Sequence, residues 1–359
     1  MKVKKLKSKI IGGVILLLVI IAIIVYQFIN TNKPEQIMVT GYLGGEKIGL
    51  MEDEEVRKIL KDKYGLTVDY TKAGSIEMVE QDSSDKDYLF PSSQTALELF
   101  NQTKSDKLYK SEILFNSPIV IYTWKPIADA LINEGIVEMK DNSYYIADTT
   151  KLITLVTDKK KWSDIGVNDL YGYVTIQSTD PNKSNSGNMF AGLVANIMNN
   201  QTVVDESTVD NILPQLKDFF GKIGYMEHSS SDLFEQYLKT GMGAKPMIAG
   251  YENQMIEFAI ENPNDWNMVK DQVVVLYPEP TVWSSHPLIA LNENGAKLIE
   301  AMQDPKIQEI AWTRHGFRTG VSGTINTEVE GFYGIPKTIN AVIQMPNPNT
   351  MQKIMDGIK

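Results

Sequence analysis

The chain contains no cysteine. That excludes disulfides, thiolate metal sites, a cysteine nucleophile and attachment to a membrane through a lipidated cysteine. Histidine is nearly as scarce: His228, His286 and His315 stand far apart, with no H-E-x-x-H pattern, so nothing reads as a metal hydrolase. There is no internal repeat and no low-complexity segment. Positive charge is short where nucleic acid would need it. Residues 1–33 hold six lysines and no acid, which leaves 29 basic against 45 acidic residues, a net charge of −16, in the remainder. Such a surface does not bind nucleic acid or anionic lipid through a general field. An anionic ligand must be held by local donors.

What is present begins at the amino end. Lys2, Lys4, Lys5, Lys7 and Lys9 precede an apolar run from Ile10 to Val25, continued by Tyr26, Gln27, Phe28 and Ile29. Roughly 17–20 such residues are enough to span a bilayer as a helix. The basic flank should stay cytoplasmic, which places the bulk of the chain outside. The expected location is therefore the cell membrane, single-pass, with residues 1–33 as cytoplasmic flank and transmembrane anchor. A cleaved signal peptide is the rival reading, but it would have a shorter apolar core and end in a small-x-small site, for which residues 26–33 offer nothing convincing.

The remaining length of a 359-residue chain suffices for two domains. Ile37 to Tyr42 reads as a strand, followed by a Gly44-Gly45 loop, an amphipathic helix over Met51 to Tyr64 stopped by Gly65, and a second strand at Leu66, Val68 and Tyr70. This βαβ start is the signature of a parallel sheet with helices on its faces. Ser117 to Trp124 and Val273 to Pro278 are strands too apolar for a sheet edge, and His286 to Leu291 is a third apolar strand. Helices are expected at 95–101, 125–133, 189–199, 209–220, 232–239, 254–261, 296–302 and 306–315, the fourth bent near Pro214.

One stretch organises the rest. Thr179 to Asn188 lies between a strand-like run, Tyr173 to Gln177, and a helical run, Met189 to Asn199. A strand ending in Asp180-Pro181, then Ser184-Asn185-Ser186-Gly187, then an apolar helix, describes a helix start rich in hydroxyls and free N–H groups. It reads either as an ordinary Ser/Asn cap or as an anion-binding loop, since both use the same unpaired donors. The pattern recurs near Ser75, Ser92, Thr123 and Tyr251. In open α/β sheets ligands bind outside the carboxyl ends of the strands, so five such turns in two halves of a chain could converge on one cleft.

With these elements in order, the chain resembles type 2 periplasmic binding proteins, the two-lobed solute receptors of ABC importers. The likeness covers nearly all of residues 37–325. It rests on Asp87 through Gln94, Ser117 through Ile121, Thr179 through Gly187, Tyr251-Glu252-Asn253, Val275 through Pro278, and Gly316-Phe317-Arg318. These stretches are most similar to the oxyanion-type branch, and also to extracellular solute-binding domains associated with von Willebrand factor A modules. The resemblance implies an α/β, two-lobed type 2 periplasmic-binding-protein fold with two hinge crossovers, preceded by one transmembrane helix. Lobe 1 would comprise 37–121 plus 278–335, lobe 2 would comprise 124–275, and the tail 336–359 would pack on lobe 1. A small polar or anionic solute would be held between the lobes by Ser75, Ser92, Ser93, Thr123, Ser184, Asn185, Ser186 and Tyr251. No catalytic residue, metal or cofactor is implied. The partner would be an ABC permease or a von Willebrand factor A-type module, and a sensory role without transport is the alternative. The chain departs from the pattern at Gly44-Gly45-Glu46, where a glutamate would oppose a dianion unless it points away.

Ser83-Ser84-Asp85-Lys86, Ser186-Gly187-Asn188 and Lys239-Thr240-Gly241 match the short motifs of penicilloyl-serine enzymes. That nucleophile needs a buried helix start, whereas residues 81–87 are almost wholly polar. Arg318 either ends a helix, fastens the lobes or reaches a ligand. Lys183 is either a solvated loop lysine or a charge for an anion. Trp124, Trp162, Trp283 and Trp312 are read as core or hinge residues, with stacking on a ligand as the alternative. A fluorescent penicillin should leave the chain unlabelled; a covalent band on a denaturing gel would reinstate the cell-wall enzyme.

Overall fold

The computed structural model describes residue 14 and residues 16–21, 34–319 and 334–359. Among these are ten strands: β1 (Ile37–Leu43), β2 (Leu66–Lys72), β3 (Tyr88–Phe90), β4 (Lys110–Trp124), β5 (Val137–Lys140), β6 (Ser143–Ile146), β7 (Met247–Tyr251), β8 (Val273–Pro278), β9 (Trp283–Ala290) and β10 (Arg318–Thr319). They are joined in the order β2-β1-β3-β9-β4-β8-β6-β5, with β7 and β10 also pairing with β4. β1 is parallel to both β2 and β3, as the βαβ start requires.

β4 holds the two halves together. Its first part, Lys110 to Pro118, runs antiparallel to β9. Its second part, Ile119 to Trp124, runs antiparallel to β7 and β8. The return crossing lies between β8 and β9. Each half has its own apolar core. Val39, Leu60, Tyr88, Phe115, Leu288 and Ile310 belong to one. Ile121, Leu131, Trp162, Phe190, Phe219 and Met247 belong to the other.

Local sequence explains most elements. Asp53 Oδ1 accepts the N–H groups of Glu55 and Val56 at 2.8 and 3.1 Å, Glu54 and Glu55 favour the positive end of the dipole, and Gly65 closes the helix Glu54–Tyr64 at φ 70°. The cap also divides what the periodicity joined: the helix expected from Met51 is two helices, Ile48–Glu52 and Glu54–Tyr64. The hairpin β5–β6 turns through Asp141 and Asn142 at φ 49° and 64°, the left-handed geometry that two-residue hairpin loops require.

Two expectations are corrected. Tyr173 to Gln177 is not a regular strand. Val174 and Ile176 are buried, which creates the alternating pattern, but the backbone makes only isolated bridges, Lys161 with Tyr173 and Gln177 with Ile248. The carboxyl tail does not rest on the first half alone. The helix Pro348–Gly357 sends Met351, Ile354 and Met355 into the second core, beside the helices Val209–Gly221 and Asn185–Met198, and also meets the first-half helix Gln94–Thr103.

Of the expected membrane anchor, residue 14 and residues 16–21 are described. They are helical and their apolar side chains are 45–62% exposed, so the rest of the described chain does not cover them. The remainder of residues 1–33 and residues 320–333 lie outside the described residues. Among the described residues no helix is long and apolar enough to cross a membrane.

Arg318 fastens the halves. On β10, against the first half, its Nε and Nη2 donate to Glu252 Oε2 and Oε1 at 2.7 and 2.8 Å, at the start of a second-half helix, while Tyr277 donates to the same carboxylate at 2.8 Å. All three side chains are buried. Removing one partner strands a buried charge, so Glu252→Ala should cost about 3–5 kcal/mol in denaturant unfolding. A loss well under 1 kcal/mol would show that solvent already reaches the pair.

Candidate functional site

Stretches remote in sequence meet around a cleft of about 760 Å³ between the two cores. One wall is the turn after β1, residues 44–46, with the end of β2 and the helix Ser75–Glu80. The other is Pro181 to Asn185 with Asn188, the turn His228 to Ser230 with Asp232, and Tyr251.

Two helix starts on this second wall stand apart by their backbone. At six other starts, Asp53, Ser93, Asp148, Asn292, Asp304 and Asn347 each accept a backbone N–H, while Thr208 and Asn262 do not cap and lack the extended backbone that a cap needs. At the cleft, Ser184 opens Asn185–Met198 and Ser229 opens Ser230–Thr240. Both have the extended backbone suited to a cap, and neither side chain makes one. The Ser184 hydroxyl turns instead to Ser186 Oγ at 3.1 Å, itself 2.8 Å from Thr179 Oγ1. Gly187 lets this helix start approach its own loop, because an added Cβ would overlap the Thr179 carbonyl oxygen. The first N–H groups of two long helices are thereby left to water or a ligand.

Asn185 ties the walls together. Its Nδ2 donates to the Ser92 carbonyl at 2.7 Å and to the Tyr251 hydroxyl at 2.9 Å. A carbonyl only accepts, which sets the orientation of the amide. Its Oδ1 is then buried without a partner, an acceptor that a ligand donor could meet. Burial, and then the charge of Glu46, push the Tyr251 hydroxyl well above its usual range, so it stays a neutral phenol.

Under the floor lies a buried polar network. Glu46 receives the Lys47 ammonium and the Ser92 hydroxyl. Lys47 Nζ also donates to Ser92 Oγ at 2.7 Å and faces His286 Nδ1 at 3.2 Å. Burial would raise the Glu46 carboxyl, but the Lys47 charge and hydrogen bonds from Lys47 and Ser92 outweigh it and hold it below the usual carboxylate range. Burial, then the Lys47 charge, keep the His286 imidazole neutral. The glutamate that seemed to oppose an anion is thus matched by its neighbour. The open lining is mixed: Lys72, Lys183 and His228 against Glu77, Glu80 and Asp232.

Of the eight residues named from sequence, the structure brings Ser75, Ser184, Asn185 and Tyr251 to the cleft lining. Ser92 and Ser186 lie just beneath it, supporting Asn185 and Ser184. Two are elsewhere. Ser93 is an ordinary cap, accepting from Thr95 N–H at 3.1 Å. Thr123 is buried in the β4–β7 ladder with its hydroxyl on the Pro246 carbonyl, because the strand continues past it to Trp124. Sequence reasoning missed Lys47, Lys72 and the turn His228-Ser229-Ser230. That turn carries the same serine signal, but no strand precedes it, so a search for strand-to-helix junctions passes it by. Lys183 lines the cleft, 2.9 Å from His228 Nε2.

A second cavity of about 510 Å³ lies beyond Glu46. At its edge Glu257, Glu261 and His315 place ligand atoms within 4.8 Å of one another, the grouping among the described residues that could hold a cation. His315 Nδ1 is 2.6 Å from Glu257 Oε1, so this contact also joins the halves as a simple hydrogen bond.

No protein-family model matches the sequence, and no curated protein matches it. Solved structures do match its fold. A protein named as an extracellular solute-binding protein of Bordetella parapertussis aligns at 11% identity over 90% of this chain and 97% of its own, TM-score 0.58. The substrate-binding protein of an ABC transporter from Agrobacterium tumefaciens aligns at 13% identity over 92% and 96%, TM-score 0.55. The sulfate-binding protein of Mycobacterium tuberculosis aligns at 13% over 89% and 96%, TM-score 0.50. These neighbours are binding proteins, and the fold is theirs: the two-lobed solute-binding architecture.

Because the Glu46 carboxyl is held below its ordinary 4.5 when folded, its stabilising contribution is complete above about pH 4.5 and is lost as pH falls through the lower folded value. Acid titration of unfolding should show this loss, flattened in Glu46→Gln. An unchanged slope in the variant would assign the loss to other carboxylates.

Proposed function

We propose that the chain is an extracellular solute receptor, held at the cell surface by its amino-terminal apolar segment, that captures a small polar or anionic solute between its lobes and presents it to an ABC importer. A von Willebrand factor A-type partner, or sensing without transport, is the variant that the family resemblance leaves open. The observation that carries the reading is the pair of uncapped helix starts at Ser184 and Ser229, facing one cleft. Several N–H dipoles together replace part of an anion's hydration shell without a formal counter-charge. Lys72 and Lys183 add charge at the rim. The cleft also offers the free Asn185 acceptor, which suits a solute bearing hydroxyl or amine donors. The anchor is proposed from the sequence, on the apolar run Ile10 to Val25 behind its basic flank.

Closure is the natural consequence of such a site. Its donors come from both halves, and a ligand bonded to both lowers the free energy of the closed form relative to the open one. The Asn185 bond to the Ser92 carbonyl already joins the two halves at the base of the cleft and is a contact that closure would use.

The test uses a competing cap. Native mass spectrometry of the full chain in detergent should reveal a retained solute, and a thermal-shift screen against organic acids, oxyanions, sugars and amino acids should raise its melting temperature. In Ser184→Asp and Ser229→Asp the carboxylate takes the helix N–H groups itself. A good cap is worth about 0.5–2 kcal/mol over none, so the unliganded variants should be as stable as the parent or more so. Their ligand-induced shift should vanish. Variants that keep the full shift would remove the helix starts from the binding site.

A further inference from the structure

We infer that the Glu46 carboxylate is a tethered occupant of an anion subsite at the cleft floor, so that the receptor excludes free inorganic oxyanions and takes a small organic anion in the outer cleft instead. This deepens the solute-receptor reading and rests on it for the outer cleft alone.

The network around Glu46 has the composition of an anion site. An ammonium and a hydroxyl, Lys47 and Ser92, donate to one carboxylate, and the His286 imidazole accepts from the same ammonium through Nδ1 at 3.2 Å; all three are fully buried. Ser284 Oγ stands behind, 3.5 Å from His286 Nε2. Lys47 sits over the Phe90 ring at 4.9 Å, which walls the subsite on its apolar side. Of these groups Glu46 is the one that lines the open cleft. Its side chain therefore stands between the solvent-filled cavity and the donors. The backbone is built for this. A Cβ at Gly44 would fall 2.7 Å from Ser92 Oγ and 2.8 Å from Lys47 Nζ and would overlap the Glu46 carboxylate, so the convergence needs a residue with no side chain there.

A buried ion pair of this kind is weak evidence for stability, since desolvation offsets much of the attraction. Its consequence for binding is clearer. The donors that would coordinate a tetrahedral oxyanion are already engaged, and a second anion placed beside them would meet a fixed negative charge. What remains for a solute is the outer cleft, with the uncapped starts at Ser184 and Ser229, the lysines at the rim and the free Asn185 acceptor. A volume of about 760 Å³ is that of a pocket for an organic molecule, far more than one oxyanion fills.

The experiment is a gain of binding. Full-length parent and Glu46→Ser chains in detergent are titrated with sodium sulfate and sodium molybdate at constant ionic strength, by calorimetry and by thermal shift. The parent should show no saturable binding. Glu46→Ser should bind at least tenfold more tightly than the parent, and adding Lys47→Met or Ser92→Ala should abolish the gain. The gain should persist in a Ser184→Asp background, because its donors are different; failure of the outer-cleft reading and failure of this inference are thereby separate results. Should Glu46→Ser be unstable without a counter-anion, sulfate should restore its melting temperature saturably, and Glu46→Gln should show the same rescue in weaker form. A parent chain that binds sulfate as tightly as the variant overturns the inference. So do Ser and Gln variants that neither bind nor are rescued.

Discussion

The molecule depends on one strand serving two sheets. β4 is long enough for its first part to satisfy β9 and its second part to satisfy β7 and β8. Buried backbone groups must be paired, so the strand cannot leave either sheet without exposing donors and acceptors in both. Everything functional follows from where it crosses. The turns at the ends of β1, β2 and β7 are brought to opposite walls of a cleft, with β4 and the short β8–β9 connection linking the halves beside it. The Arg318–Glu252 pair and the Asn185 bridge then set how closely the walls approach.

The binding chemistry follows from a second constraint. A chain whose folded portion carries a net charge of −16 cannot attract an anion by its field. It can hold one only by dipoles aimed at close range. Helix starts supply such dipoles, provided that their own side chains leave them free. Ser184 and Ser229 sit at cap positions without capping, whereas Ser93, the same residue type in the same role, caps its helix and takes no part in the cleft. For Ser184 the difference lies in a neighbour: its hydroxyl meets Ser186 Oγ, which in turn meets Thr179 Oγ1. Charge is managed in the same local way, with Glu46 neutralised by the residue next to it.

Much of this was legible in the residues. The βαβ start, the two apolar crossing strands and the loop 179–188 were visible because hydrophobic periodicity and turn chemistry are local properties. The shape of the cleft was not. Ser92, Ser93 and Thr123 looked equivalent to Ser75 and Ser184, since each stands where a strand meets a helix. Burial separates them: Thr123 is consumed by the ladder, Ser93 by its own helix, and Ser92 by the network below the floor. The Tyr173–Gln177 run misled for a related reason. Its alternation records two buried side chains, and alternation carries no information about where the backbone hydrogen bonds go.

By itself, the sequence determined the class of fold, the apolar amino-terminal run, the absence of thiol chemistry and the serine-rich helix starts, because each is a matter of composition or of spacing along a few residues. Tertiary structure decided which of those starts face one another, which hydroxyls remain free, that the tail joins the second core, and that Glu46 is held by Lys47 and Ser92 with His286 behind the ammonium. The physical reason is separation along the chain. Lys47 and His286 are 239 residues apart, and no local pattern encodes a contact that only two crossings of the sheet can make.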